Sequence, residues 1–157
     1  MIYFSPGTQG RVSMNYCKVV SIQEMDLRTP LLMSLFSSKV QAGFPSPADD
    51  YLDKKIDLNE HLIKHPAATF LIRVQGDSMV GIGIYENDEL IVDRSVKPVA
   101  GKVVVAAVDG HLTVKRLIKK NNKYYLHAEN PKYADIEIEF ENEVLIWGVV
   151  IKVLHNV

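Results

Sequence analysis

The stretch Lys102–Ile118, KVVVAAVDGHLTVKRLI, contains two runs of apolar and β-branched residues separated by Asp109 and Gly110. An Asp-Gly pair between such runs predicts a two-residue type I′ turn, because both central residues of that turn need positive φ. The turn sets the register of the two strands, so Val104 is expected to lie opposite Lys115. The stretch therefore predicts an antiparallel β-hairpin with a lysine in its second strand.

The sequence on both sides of this hairpin continues the pattern. Short runs rich in Val, Ile, Tyr and Thr recur from Thr69 onward and are separated by turn-forming residues. The runs outside the hairpin are TFLIRVQ, ELIVDR, KYYLHA, IEIEF and VLIWGVVIKVL. They predict a mainly β fold, either a compact, strongly bent antiparallel sheet or a small barrel. One short helix is expected for IDLNEHLIKHP, with Asp57 or Asn59 as its cap and Pro66 at its end.

Residues 1–56 have weaker and more varied signals. The segment MDLRTPLLMSLFSSKV predicts a short helix after Pro30. The segment AGFPSPADD has two prolines in a small window, which interrupt the hydrogen bonding of helices and strands. We therefore expect that segment to be an extended and accessible linker.

Composition argues against nucleic-acid-binding, membrane-spanning and secreted proteins. The 157 residues can bury one core, and 18 Lys+Arg against 19 Asp+Glu leave a net charge of -1, without the basic excess typical of nucleic-acid binding. The single cysteine, Cys17, is expected to be an unreactive thiol in a reducing compartment. No apolar run is long enough to span a bilayer, and the N-terminus does not resemble a secretory signal, so a cytoplasmic protein is expected.

Two residues are candidates for catalysis. Ser78 follows the end of a predicted strand in the turn Gly76-Asp77-Ser78, where successive backbone N–H groups can hold an oxyanion. Lys115 lies in an apolar strand, where burial would lower its pKa and make it a general base. A serine in such a turn is commonly only a turn former, and a strand lysine commonly extends to water. These residues alone leave both interpretations open.

Other chemistries have less support. The sequence has no G-x-S-x-G element and no recognisable serine–histidine–aspartate context. His61 and His65 are four residues apart, but Leu62 stands where the zinc-protease motif needs glutamate. Gly81 and Gly83 lack the spacing of a phosphate loop. Neither a metal nor a cofactor is expected.

Several of these segments together resemble a known family. The segments GDSM, GIYENDELIVDR, VVVAAVDGHLTVKRL and WGVVIKVL resemble the self-cleaving domain shared by LexA-type repressors and UmuD proteins. LFSSKVQAGFPSPADDY and IDLNEHLIKHP resemble the UmuD group in particular, whose members are accessory subunits of error-prone DNA polymerase V. The likeness extends from about Leu35 to Val153. It implies a small β domain with an extended N-terminal arm.

The resemblance implies a role for five residues. Ser78 would be the nucleophile and Lys115 the general base and acid of a serine–lysine dyad. The backbone N–H groups of Asp77 and Ser78 would form the oxyanion hole. The chain would cut itself at the bond between Ala42 and Gly43, which stands at the position of the family's Ala-Gly or Cys-Gly cleavage site.

The resemblance also implies a division of the chain and a set of partners. Residues 1–42 would be an arm removed by self-cleavage, 43–56 a flexible Pro-rich linker, and 57–157 a peptidase and dimerisation domain. A RecA filament on single-stranded DNA would stimulate cleavage during the SOS response. The processed homodimer would then bind a UmuC-type polymerase subunit for translesion synthesis, without a cofactor, a membrane or direct contact with nucleic acid.

The arm departs from the family pattern. It is longer than is usual for UmuD, and the segment up to about Leu32 has no counterpart that can be placed. It also lacks helix-turn-helix patterning, which favours a polymerase accessory protein over a LexA-like transcriptional regulator. A non-cleaving dimeric binding module of the same fold remains a further alternative.

Overall fold

The structure is a computed structural model that describes residues 17–36, 52–139 and 144–157. These ranges contain ten strands, one α-helix and two short 3-10 helices. The strands are β1 (Lys18–Glu24), β2 (Leu32–Phe36), β3 (Leu52–Asp57), β4 (Thr69–Gln75), β5 (Glu89–Asp93), β6 (Val103–Val108), β7 (His111–Lys120), β8 (Lys123–His127), β9 (Ile136–Glu137) and β10 (Val144–Leu154). Helix α1 is Leu58–Leu62, and the 3-10 helices are Pro66–Ala68 and Val80–Ile82.

Eight strands form one antiparallel sheet in the order β1-β4-β5-β10-β6-β7-β8-β9. Strand β1 also pairs with β7, through Lys18 and Thr113, so six strands close into a barrel. Strands β2 and β3 form a separate two-stranded sheet. The predicted mainly β fold, with a bent antiparallel sheet or small barrel, is confirmed.

The predicted hairpin formed by β6 and β7 is confirmed. Val104 lies opposite Lys115, and Asp109 and Gly110 both have positive φ, at 49° and 77°. The other five predicted β runs are also strands, β4, β5, β8, β9 and β10. Neighbouring residues of a strand face opposite sides of the sheet. The apolar residues of the hairpin therefore contribute to two separate parts of the core.

Two apolar clusters lie on these opposite sides. One contains Cys17, Ile72, Val74, Met79, Ile84, Leu90, Val92, Val105 and Val114, and the other contains Val104, Ala106, Leu117, Leu126 and Val149. Lys115 is on the same side of β7 as Leu117, since the two are two residues apart. The lysine side chain is therefore directed toward an apolar layer, as the sequence predicted.

The structure corrects one expectation about the first part of the chain and places strands within the predicted arm and linker. The segment after Pro30 is strand β2 rather than a helix, because its backbone pairs with β3. Strand β1 belongs to the barrel although it lies within the predicted arm, and β3 begins at Leu52 within the predicted linker. The remainder of the linker, with Ala42 and Gly43, lies outside the described residues, and the proposed domain boundaries stay a prediction.

The predicted helix is present but shorter than expected. Asp57 caps α1, and its side chain accepts a hydrogen bond from the backbone N–H of Asn59. The helix ends at Leu62, and Pro66 begins a 3-10 helix instead of ending α1. In the parts of the chain that the structure describes, no helix has the length and apolar character needed to cross a bilayer.

Candidate active site

Ser78 lies at the end of β4, where the chain turns sharply. Gly76 has a φ of 106°, a value that favours glycine, and it directs the chain from the strand into the 3-10 helix Val80–Ile82. The N–H of Val80 donates to the Asp77 carbonyl across the turn. The Ser78 side chain is directed into the protein, and none of the residue is exposed.

Lys115 reaches Ser78 from the neighbouring part of the barrel. Its Nζ lies 2.8 Å from Ser78 Oγ, 3.1 Å from the carbonyl oxygen of Val114 and 3.3 Å from Thr113 Oγ1. The lysine has no exposed surface. Two residues that are 37 positions apart in sequence are thus in direct hydrogen-bond contact, as the predicted serine–lysine pair requires.

The surroundings of Lys115 shift its pKa in the direction that base catalysis needs. Burial removes water from the ammonium and lowers the pKa from 10.5 to about 8, while negative charge on Cys17 would act in the opposite sense. A neutral amine has a lone pair that accepts the proton of a hydroxyl. At 2.8 Å, Lys115 is within the distance for proton transfer from Ser78.

A second group of side chains holds the turn from outside. Asn130 donates from Nδ2 to the backbone carbonyl of Asp77 at 3.0 Å and to its Oδ2 at 3.3 Å. The Tyr133 hydroxyl donates to Asp77 Oδ1. Burial and this bond raise the pKa of Tyr133 to about 12, so the hydroxyl remains protonated and donating at neutral pH. The loop from Asn130 to Tyr133 thereby fixes the peptide unit that precedes the nucleophile.

Cys17 provides a contact on the other side of the dyad. Its backbone N–H donates to Ser78 Oγ at 3.0 Å. Its carbonyl accepts from Thr113 Oγ1 and from the N–H of Val114, each at 3.1 Å. Burial raises the pKa of the Cys17 thiol to about 11, which agrees with the expected unreactive cysteine.

Sequence reasoning missed Asn130, Tyr133 and Cys17 as neighbours of the dyad. Asn130 had a local signal only as part of an Asn-Pro turn, and nothing in the sequence connects it to position 77. For Cys17, the following run KVVSIQ has β-branched residues that could have indicated a strand. Its partner strands lie too far along the chain for a sequence pattern to identify them.

Two histidines contact carboxylates elsewhere in the protein. His65 Nδ1 is 2.6 Å from Asp93 Oδ2, and His127 Nδ1 is 2.5 Å from Asp135 Oδ1. Within residues 17–36, 52–139 and 144–157, no group of His, Cys, Asp and Glu side chains has the arrangement of a metal site. Among the groups described, Ser78 and Lys115 have the arrangement for proton transfer between a hydroxyl and a buried amine.

The sequence profile described as Peptidase S24-like matches residues 34–151, a range that includes Ser78 and Lys115. The chain belongs to this family. Peptidase S24-like proteins are self-cleaving serine peptidases of the LexA/UmuD type. The resemblance inferred from sequence motifs is therefore confirmed at the level of the family.

Individual Peptidase S24-like relatives agree with this assignment. The chain is 43% identical to protein SamA of Salmonella typhimurium, over 78% of this chain and 84% of SamA. It is 41% identical to protein ImpA of Escherichia coli, over 78% of this chain and 83% of ImpA. It is also 41% identical to a LexA repressor of Shewanella piezotolerans, but the match spans only 63% of that repressor.

Proposed function

We propose that the protein is a serine peptidase that cuts its own bond between Ala42 and Gly43 with Ser78 and Lys115. The observation that carries the proposal is the 2.8 Å contact between Lys115 Nζ and Ser78 Oγ. Both residues are fully buried, so water does not reach this contact. An ammonium in that position would be costly, so the site favours the neutral amine that a general base must be.

The proposed reaction has two halves. Neutral Lys115 takes the proton of Ser78 Oγ as that oxygen forms a bond to the Ala42 carbonyl carbon. The backbone N–H groups of Asp77 and Ser78 stabilise the oxyanion, and the hydrogen bonds from Asn130 hold this turn in place. When the bond to Gly43 breaks, the Lys115 ammonium gives its proton to the departing amine. Water, deprotonated by Lys115, then hydrolyses the ester and restores Ser78.

For the biological role, we propose a UmuD-like accessory subunit. SOS conditions would supply a RecA filament on single-stranded DNA that stimulates cleavage, and the processed homodimer would bind a UmuC-type polymerase subunit. Support comes from the UmuD-like segments in the sequence and from the similarity to SamA and ImpA over most of their lengths. The test of this role is to add the filament and measure how fast the cleaved product appears. We expect faster cleavage, and the result is independent of which residues perform the chemistry.

The chemistry is tested by incubating the full chain at pH about 9 to 10, where more of Lys115 is neutral, and measuring fragment masses. The expected product begins at Gly43. Ser78→Ala and Lys115→Ala should each lower the rate by at least about a hundredfold, since general-base and nucleophilic contributions are of that size or larger. Lys97→Ala, on an exposed loop, is the matched control and should cleave as the parent does.

Two results of that experiment would contradict the proposal. A chain that stays intact under every activating condition would indicate the non-cleaving binding module. Cleavage that persists in Ser78→Ala or Lys115→Ala would assign the chemistry to other residues. In a separate gel-shift experiment, salt-dependent binding of the intact chain to duplex DNA would instead support a LexA-like regulator.

A further inference from the structure

Strand β1 lies between two strands that position the dyad. It pairs with β4, from Lys18 opposite Gln75 to Glu24 opposite Phe70, and Ser78 lies in the turn that follows β4. At its first residue, Lys18, it also pairs with Thr113 of β7, the strand that carries Lys115. In the barrel, β1 therefore closes the seam between β4, which leads to Ser78, and β7, which carries Lys115.

The backbone of Cys17 is in direct contact with the nucleophile. A carbonyl carbon must approach Ser78 Oγ to about 3 to 3.5 Å before attack. The Cys17 nitrogen already lies 3.0 Å from that oxygen and donates a hydrogen bond to it. Neither Ser78 nor Lys115 has exposed surface. A substrate peptide bond and Cys17 cannot both occupy this position.

The contacts of Cys17 are those that a bound peptide strand would make. Its carbonyl accepts hydrogen bonds from the backbone N–H of Val114 and the hydroxyl of Thr113, and its small side chain is buried in an apolar cluster with Val74 and Met79. These main-chain contacts do not depend on the side chain, so another residue with a small apolar side chain could make them. Ala42 meets the same requirement.

We propose that the groove between β4 and β7 is a binding site for an extended strand, and that β1 holds it in competition with the cleavage segment around Ala42 and Gly43. The inference rests on the proposed self-cleavage. Strand β1 precedes residues 34–151, which match the family, and contributes no proposed catalytic group. Cleavage then requires β1 to leave, and the fraction of molecules with an open groove limits the rate.

The test uses Cys17 as a reporter, because it is the single cysteine of the chain, directly precedes β1 and is fully buried. The rate at which iodoacetamide labels Cys17 measures how often β1 detaches. Val19 pairs with Val74 and packs against the apolar cluster, whereas its neighbour Val20 is 51% exposed. Val19→Asp should raise labelling and self-cleavage by about tenfold or more, because a carboxylate packed against the apolar cluster disfavours the docked strand. Val20→Asp should change both by less than about twofold.

Several results would overturn the proposal. Labelling that rises in Val19→Asp without faster cleavage would show that β1 does not limit access, and labelling that stays unchanged would show that β1 is not detachable. Circular dichroism reports whether the variant is folded. If Val19→Asp unfolds, the milder Val19→Ala should show the same paired increase, and failure to do so would count against the proposal equally.

A second experiment separates this inference from the proposed chemistry. In Ser78→Ala, an excess of a synthetic peptide spanning residues 37–48 should raise the labelling rate of Cys17 by displacing β1, whether or not the chain can cleave. A peptide without effect overturns the competition. Displacement by the peptide, together with no cleavage in any chain, overturns the self-cleavage and leaves the strand-binding groove in place.

Discussion

Lys115 is the residue in which burial and chemistry are most closely linked. It is among the largest side chains with no exposed surface, and it sits opposite Val104 in an apolar layer. Burial lowers its pKa to about 8, so at pH 7 about one molecule in ten has a neutral amine. The same desolvation that opposes a buried charge therefore supplies a base close to physiological pH.

The pH dependence of self-cleavage follows from this shift. Because the active form is the deprotonated amine, the rate should rise about tenfold per pH unit below the pKa of Lys115 and level off above about 8. Fragment masses at a series of pH values from 6 to about 10 measure the profile. A rate that does not change between about pH 6 and 8, or that falls on raising the pH, would contradict the assignment of Lys115 as the base.

At the scale of elements, the turn after β4 depends on a loop far away in sequence. Asn130 and Tyr133 both donate to Asp77, and they follow β8 rather than any neighbour of the turn in sequence. Hydrogen bonds to a charged carboxylate are stronger than neutral ones, by roughly a factor of two. The turn is therefore held from both ends, by the geometry of Gly76 and by this loop.

Tyr133→Phe tests the contribution of the loop to catalysis. The change removes one charge-assisted hydrogen bond to Asp77, and a bond of that kind contributes about 1.5 to 3 kcal/mol. We expect self-cleavage to slow by about tenfold or more, with the midpoint of the pH profile unchanged, because the surroundings of Lys115 are not altered. Tyr125→Phe on β8 is the matched control. An equal rate in Tyr133→Phe and the parent would show that the tyrosine only supports the fold.

At the scale of the whole molecule, irregularities in three pairings accompany the closing of the barrel. The register shifts between Val19 and Ser21, between Ile146 and Gly148, and between Val150 and Lys152. Such bulges bend a strand and increase its local twist. Two of them lie in β10, the strand that joins β5 to β6. The curvature that brings β7 around to β1 therefore depends on this strand.

Gly148→Ala tests how closely β10 packs at its bulge. A Cβ on Gly148 would lie 2.7 Å from Val92 Cγ1, which is closer than carbon atoms pack, so the Val92 side chain or its strand would have to shift. We expect the free energy of unfolding to fall by about 1 to 3 kcal/mol, as for other overpacked cores, measured by urea denaturation. Leu145→Ala, on the same strand and 66% exposed, should change it by less than about 0.5 kcal/mol. If Gly148→Ala left the free energy of unfolding unchanged, the bulge would accommodate a methyl group without strain.

Local patterns in the sequence determined the elements from Thr69 onward, the register of the hairpin Val103–Lys120 and the two candidate residues of the dyad. Strand alternation and the Asp-Gly turn act over a few neighbours, so they can be read without knowledge of the rest of the chain. From those residues alone, however, Ser78 and Lys115 could each have had an ordinary structural role. The resemblance to a family, rather than local physics, paired them in the sequence analysis.

Only the tertiary structure decided which distant segments meet. Closing the barrel brings Lys115 to within 2.8 Å of Ser78, places Asn130 against Asp77, and inserts β1 over the dyad although Cys17 lies 96 residues from Thr113. Pairing with β3, in a sheet separate from the barrel, makes the segment after Pro30 the strand β2 rather than the predicted helix. Hydrogen bonding between strand edges and burial in a common core are long-range interactions, and their partners are not encoded in the neighbouring residues of either segment.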